Sequence, residues 1–277
     1  MATWLVTGCS TGLGRGIARA ALEAGENVVL TARRPETLRD LAERYPDRAT
    51  ACRLDLNDAE SMEQAVETAE RDFGGIDVLV NNAGHGYRAA VEESEPEAVE
   101  ELFETNFFAP ARLIQLALPG MRERRRGVIV NVSSIGAVRG ALGNGYYGAS
   151  KAALELLTEA LAQEVAGFDI RTLIVEPGAF ATAFYGTGLG RTAHAIDAYD
   201  ALAKRYRAEF VDPHAPRLGD PDAGGRAVVE TVLGDEMPRR LLLGSDSVEA
   251  ARKALEGRLA ELETWRHVSV KSDSKQA

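Results

Sequence analysis

Short runs of β-branched and aliphatic residues, at 3–7, 27–32, 49–54, 77–80, 127–132, 170–175 and 240–243, alternate with helically spaced stretches at 13–24, 36–45, 59–72, 97–106, 107–124, 147–166 and 221–233. A helix between two strands carries the chain back to its starting edge, so successive strands run parallel. The pattern predicts an α/β fold, a single doubly wound domain with a seven-stranded parallel sheet and helices on both faces. No Ser/Gly-rich or Pro-rich linker divides the chain, and 45% hydrophobic with 27% charged residues over 277 positions suits one core of that size.

Two segments stand outside the alternation. Residues 179–219 gather Gly186, Gly188, Gly190, Pro213 and Pro216 among Phe180, Phe184, Tyr185, Tyr199 and Tyr206, which is too aromatic for a plain connection and predicts a partly helical flap over a site. Residues 246–266 read as a charged helix ending near Trp265, and 268–277 as a polar, frayed tail. The expected organisation is a domain over 1–245, flap included, followed by a C-terminal helix and tail over 246–277.

No apolar run approaches the roughly 18–20 residues that cross a bilayer, and no charged-then-apolar leader opens the chain, so a cytoplasmic protein without a membrane partner is expected. With 32 Lys+Arg against 42 Asp+Glu, a net charge of −10, nucleic acid is not an expected partner, although a local arginine pair can still hold a small anion. Two cysteines, Cys9 and Cys52, and four histidines without ligand spacing predict no metal site.

The first strand empties into Thr7-Gly8-Cys9-Ser10-Thr11-Gly12-Leu13-Gly14, and helical spacing follows. Glycines let the backbone approach a ligand closely, and the N–H groups and dipole of a helix start favour a phosphate. Gly8, Ser10, Thr11, Gly12, Leu13 and Gly14 are therefore candidate contacts for a dinucleotide. The spacing Gly-x-x-x-Gly-x-Gly departs from the Gly-x-Gly-x-x-Gly fingerprint, and two other readings compete. One is a tight turn without a ligand. The other is a Gly-x-Ser-x-Gly nucleophile elbow at residues 8–12, but an elbow draws its oxyanion hole from an earlier strand and this is the first of the series.

The second strand ends Leu30-Thr31-Ala32-Arg33-Arg34, with no acid until Glu36. A carboxylate there would accept from the ribose hydroxyls and repel a 2′-phosphate, whereas the planar fork of an arginine suits that phosphate. Arg33 points to NADP(H) in preference to NAD(H), unless both arginines are solvated loop residues. Asp55, with Leu56 beside it, can accept from the adenine amino group or serve as an acid at the next helix start.

Tyr147 and Lys151 stand four apart in a helical segment and share one face, while Tyr146 faces elsewhere. A phenol titrates near ~10, and a fixed ammonium beside it favours the phenolate and makes it a usable acid or base. Taken alone, Tyr-x-x-x-Lys also arises from chance and from cation–phenol packing. Here the 127–132 strand empties into Ser133-Ser134 at the sheet edge where such folds place ligands, and a hydroxyl there can hydrogen-bond a substrate carbonyl. Asn106 precedes Pro110 by four, so its carbonyl loses a helical N–H partner and either holds a water or marks a plain proline kink.

With these residues in order, the chain resembles the short-chain dehydrogenase/reductase superfamily, in the branch carrying Thr-Gly-x-x-x-Gly-x-Gly, Asn-Asn-Ala-Gly, Ser, Tyr-x-x-x-Lys and Pro-Gly. The matching residues are Thr7 to Gly14, Asn81-Asn82-Ala83-Gly84, Ser134, Tyr147 with Lys151, and Pro177-Gly178, over about residues 2–245. The interval of twelve residues between Ser134 and Tyr147 is the one this branch uses and selects Ser134 over Ser133. The Thr-Gly-Cys-Ser turn, Glu176-Pro177-Gly178 and the long C-terminal extension look most like the 17β-hydroxysteroid-dehydrogenase-like group, from which steroid activity does not follow.

The resemblance implies a Rossmann-type NADP(H)-binding domain that transfers hydride between nicotinamide and a carbonyl or alcohol carbon, without a metal. It implies that Tyr147 gives the proton, Ser134 orients the oxygen, Lys151 holds the nicotinamide ribose and lowers the tyrosine pKa, and the Asn106 carbonyl keeps a relay water. Asn81, Asn82, Ala83 and Gly84 would line the adenosine-ribose side, with Asn82 equally able to bridge strands, and Pro177, Gly178 and Thr182 the nicotinamide side. A homo-oligomer joined through helices beside the active site is also implied. The flap, with Arg191 and Lys204 as its exposed-looking charges, suggests a small, mainly apolar ketone, aldehyde or secondary alcohol. The alternative is an NADP(H)-binding sensor without turnover, which needs the glycine turn but not Ser134, Tyr147 and Lys151 together.

Overall fold

A computed structural model describes residues 1–212 and 214–273; Pro213 of the expected flap and residues 274–277 of the expected tail lie outside the described residues. The chain runs β1 (Thr3–Val6), α1 (Gly12–Glu23), β2 (Asn27–Ala32), α2 (Arg39–Arg44), β3 (Ala49–Arg53), α3 (Ala59–Phe73), β4 (Val78–Asn81) and β5 (Gly86–Arg88). It continues with α4 (Pro96–Phe103), a π turn (Glu104–Phe108), α5 (Ala109–Arg124), β6 (Gly127–Val132), α6 (Ile135–Val138), α7 (Gly145–Val165), β7 (Ile170–Pro177) and β8 (Leu189–Arg191). The last elements are α8 (Asp200–Ala203), α9 (Pro221–Leu233), β9 (Arg240–Leu243) and α10 (Ser245–Ser269).

Seven strands form one parallel sheet in the order β3-β2-β1-β4-β6-β7-β9. Each central strand is buried on both faces, which is why it reads as an unbroken apolar run. Trp4 and Val6 of β1 pack with α1 and α9 on one side, and Leu5 between them packs with α3 and α5 on the other. The strand order reverses between β1 and β4, whose carboxyl ends part to leave a crevice. Helix ends obey local chemistry. Asp58 accepts from Ser61 N–H to cap α3, which stops at Gly74 in the left-handed region (φ 81°).

Beside the crevice, α1 and α9 cross at backbone contact. A β-carbon on Gly225 would sit 2.5 Å from the Ile17 nitrogen, so the helices meet through glycine at that point.

Three features differ from the sequence reading. The helices expected at 97–106 and 107–124 form one nearly continuous column, because a π turn absorbs the missing Pro110 N–H instead of a break. β5 and β8 form a separate parallel ribbon that roots the flap. The C-terminal helix persists to Ser269, with a 3₁₀ turn over Val270–Ser272 where fraying was expected. A boundary at 245 is also bridged physically: Asp246 accepts from Ala179 N–H (2.8 Å), and the Ser247 hydroxyl donates to the Glu176 carbonyl (2.8 Å). Among the described residues, no helix is long and apolar enough to cross a membrane.

Candidate active site

A cleft of about 820 Å³ follows the carboxyl ends of the sheet from the β1–α1 turn to the flap. At one end Gly8 (φ 74°) and Gly12 (φ 62°) take left-handed conformations that carry the backbone of Gly8, Ser10, Thr11, Gly12 and Leu13 along the wall. Thr11 precedes α1 without a side-chain cap, and no acid stands in the first turn. The N–H groups and positive dipole end there suit an anion. Gly14 does not line the cleft; a β-carbon on it would fall 2.6 Å from the Gly8 carbonyl oxygen, so its smallness packs the turn.

Asn82 closes the crevice across the switch point. Its side-chain amide donates to the Thr7 carbonyl (2.9 Å), and the backbone N–H groups of Asn82 and Ala83 both donate to the Thr7 hydroxyl (2.9 Å each). It bridges strands and also lines the cleft with Ala83 and Gly84. Asn81 does not. Neighbouring strand residues point to opposite faces, and the Asn81 amide is buried, donating to Asn131 Oδ1 (2.8 Å), while Asn131 donates to Thr158 (2.7 Å). The expected cofactor contact at Asn81 is thus replaced by a bond between β4 and β6. Arg33, Arg34, Asp55 and Leu56 complete this end of the wall. Asp55 Oδ1 accepts from Asn57 N–H (3.2 Å), and the capping role at α3 belongs to Asp58.

Ser134, Tyr147 and Lys151 meet further along the cleft. The Ser133 hydroxyl turns away to buried Glu155 (2.6 Å), whereas Ser134 accepts from Gly136 N–H (3.0 Å) and shares a flank with Tyr147: a β-carbon on Gly136 would lie 3.3 Å from both Ser134 Oγ and the Tyr147 ring. Burial pushes Tyr147 up to about 12; the Ser134 hydroxyl opposes this, Tyr185 adds to it and Arg88 opposes it. Lys151 lies one turn on, donating to the Val132 carbonyl (3.0 Å), with burial pushing it down to about 8 against the pull of Glu155. The Lys151 ammonium faces the Val132 carbonyl, and the field of Arg88 favours the Tyr147 phenolate.

Asn106, within the π turn, is fully buried and stands behind the wall instead of lining it. Its amide donates to the His85 carbonyl (3.0 Å) and to Ser150 Oγ (3.2 Å), and its Oδ1 accepts from His85 N–H (3.1 Å). A β-carbon on Gly84 would lie 2.8 Å from that Oδ1 and 3.2 Å from Lys151 Nζ, so this glycine leaves room between them. Burial, with Lys151 and Arg33 nearby, lowers the His85 pKa, against Glu101. Pro177, Gly178 and Thr182 line the opposite wall, where Asp246 joins them.

The flap is latched from outside. Buried Glu93 accepts from Arg207, from the Tyr206 hydroxyl (2.7 Å) and from the backbone N–H groups of Ile196 (3.0 Å) and Ala90 (3.2 Å). Burial would raise its pKa, but those donors outweigh it and hold the carboxyl down at about 2, against an ordinary 4.5. A carboxyl depressed by folding stabilises fully above its unfolded value, and that contribution is lost as pH falls from about 4.5 towards 2. In Glu93→Gln we expect faster proteolysis within the flap at neutral pH, and a proteolysis rate that no longer climbs across that acid window. An unchanged rate would show that the latch is not what holds the flap.

Sequence reasoning missed His85, Arg88, Arg139, Arg205 and Asp246 as cleft residues. Each lies on a loop, a three-residue strand or a helix start whose direction only the fold sets.

A sequence model described as short chain dehydrogenase matches residues 2–187. The chain belongs to the short-chain dehydrogenase family. It is 35% identical to Oxidoreductase BOA17 of Botryotinia fuckeliana over 97% of its own length and 98% of that protein. A short-chain dehydrogenase crystal structure from Streptomyces avermitilis superposes with a TM-score of 0.89 at 43% identity, covering 98% of both chains. Another from Sphingobium yanoikuyae, in complex with NADPH, gives 0.73 at 25% identity, covering 100% of this chain and 98% of that one. The doubly wound sheet of this short-chain dehydrogenase is the Rossmann fold of those neighbours.

Proposed function

We propose that this short-chain dehydrogenase interconverts a ketone or aldehyde and an alcohol using NADP(H), with Tyr147 as the general acid/base. The observation that carries the reading is the meeting of Ser134 and Tyr147, one helical turn from Lys151, in a cleft continuous with the uncapped start of α1. That open helix start and the positive-φ glycines fit a dinucleotide phosphate, and Gly8, Ser10, Thr11, Gly12 and Leu13 would hold it. Arg33 would take the 2′-phosphate, and the NADPH held by the Sphingobium yanoikuyae neighbour supports the phosphorylated form. Pro177, Gly178 and Thr182 would face the nicotinamide. Bound there, the cofactor gives or takes the hydride.

The protein's own residues handle the oxygen and the proton. Tyr147, pushed up to about 12 by burial, holds its proton at neutral pH as a donor to a carbonyl oxygen. Ser134 orients and polarises that oxygen. Lys151, at about 8, titrates close enough to neutrality to exchange a proton, and the clamp of Asn106 on His85 fixes the wall beside it. Exposed Phe108 and Leu156, beside α5 and on α7, support self-association through those helices. The direct test is loss of reduced-nicotinamide absorbance when ketones and aldehydes are added to protein and NADPH. Turnover of any of them supports the reading; tight NADPH binding with none turned over across the panel supports the sensor instead.

A further inference from the structure

The substrate end of the cleft is more cationic than the chemistry above requires. Arg88 on β5, Arg139 just after α6 and Arg205 in the flap all line it. Among the described residues, none of these three guanidinium groups has a carboxylate or hydrogen-bond partner; Arg139 and Arg205 are exposed to solvent, whereas Arg88 Nε is fully buried without one. Two arginines packed into the fold elsewhere are paired: Arg207 sits on Glu93 and Asp200, and Arg240 on Glu155, Glu159 and Glu176. A buried donor on a charged group left unpaired is costly, so the Arg88 Nε–H calls for an acceptor that the cleft can admit. Burial and Arg139 lower the Arg88 pKa while Tyr185 and Tyr147 oppose this, so Arg88 stands in the field of both the reacting tyrosine and a second cation.

The carboxylates lining the cleft lie elsewhere. Asp55 is at the β3 end beside Asn57, Asp246 accepts from Ala179 N–H, and Glu101 is exposed and acts on His85. Between the arginines and the reacting hydroxyl the wall is aromatic: the Tyr147 and Phe184 rings are 5.7 Å apart, and those of Phe184 and Tyr185 are 5.4 Å apart.

Resting on the carbonyl-reductase reading, we propose that the substrate carries an anionic group, a carboxylate in its simplest form, which Arg88, Arg139 and Arg205 bind while Phe184 and Tyr185 flank its apolar body and Tyr147 meets its carbonyl. This adds a charge to the mainly apolar substrate suggested by the flap: its exposed-looking Arg191 and Lys204 do not line the cleft, whereas Arg205 does. In a chain of net charge −10, a local cationic end also steers an acid to the site.

The test is calorimetric titration of benzoylpropionate and of its methyl ester into the NADP⁺ complex, which has no hydride to give a ketone, of the wild type, Arg88→Gln and Arg139→Gln. The acid should bind at least about tenfold more tightly than the ester, and added salt should erode the acid's affinity alone. Either substitution should shrink that advantage while NADPH affinity, measured separately, stays unchanged. Equal binding of acid and ester to the wild type, or an advantage untouched by both substitutions, overturns the proposal. Oxidation of NADPH is scored independently. Preferential acid binding without turnover upholds the anion site and counts against the reductase; equal turnover of both compounds does the reverse.

Discussion

Tyr147→Phe is expected to lower the rate of carbonyl reduction by about 10²–10⁴-fold while leaving NADPH affinity and thermal stability close to wild type. The magnitude is that of removing a positioned general acid. The ring stays, so its packing against Phe184 stays with it, and the Ser134 hydroxyl keeps its bond from Gly136 N–H. Because burial already holds the phenol protonated to about 12, removing the hydroxyl removes a donor and not a charge, and the buried site gains no unpaired ion. A steady-state assay together with a cofactor titration separates the two effects. Reduction within about twofold of wild type would place the proton donor elsewhere.

Gly225→Ala should act at a distance from the chemistry. Its β-carbon would meet the Gly16 backbone and sit 2.5 Å from the Ile17 nitrogen, so α9 must move off α1. Overpacking costs about 1–3 kcal/mol, against a gain of up to about 1 kcal/mol in helix propensity. A net loss of about 1–2 kcal/mol lowers Tm by about 2–8 °C in a domain of this size. Since α1 presents its N-terminus to the cleft, NADPH affinity should fall in the same variant. A Tm at or above wild type would mean that the crossing tolerates separation, and would detach the glycine contact from the cofactor site.

The parallel sheet was readable because strands buried on both faces leave continuous apolar runs, and Thr3–Val6 or Gly127–Val132 need no partner to announce themselves. The β5–β8 ribbon was not, since Gly86-Tyr87-Arg88 is too short for any period and gains its meaning from Leu189–Arg191, far along the chain. Adjacency in a motif misled at Asn81: Asn82 reaches the crevice, but the residue before it points across the sheet to Asn131. Pro110 signalled a disturbance after Asn106, yet whether the helix would kink or widen into a π turn depended on Asn106 being held by His85 and Ser150. Ser134 was separated from Ser133 only by the interval to Tyr147 that the family resemblance implies, and the structure adds the physical reason, the capture of Ser133 by buried Glu155. Arg88, Arg139 and Arg205 carry no common signal, because only the ribbon, the turn after α6 and the flap bring them to the cleft wall.

Titrating NADPH and NADH separately into the wild type and Arg33→Ala, followed by nicotinamide fluorescence, tests most directly the central claim that the cleft is a dinucleotide site whose β2 end selects the phosphorylated cofactor. A hydrogen-bonded charge pair to phosphate is worth about 1.5–3 kcal/mol, so NADPH should bind the wild type about 10–100-fold more tightly than NADH, and Arg33→Ala should lose most of that margin with NADH unaffected. Equal affinity for the two cofactors in the wild type, or a preference for NADH, would contradict it and leave Arg33 a solvated residue beyond the end of β2.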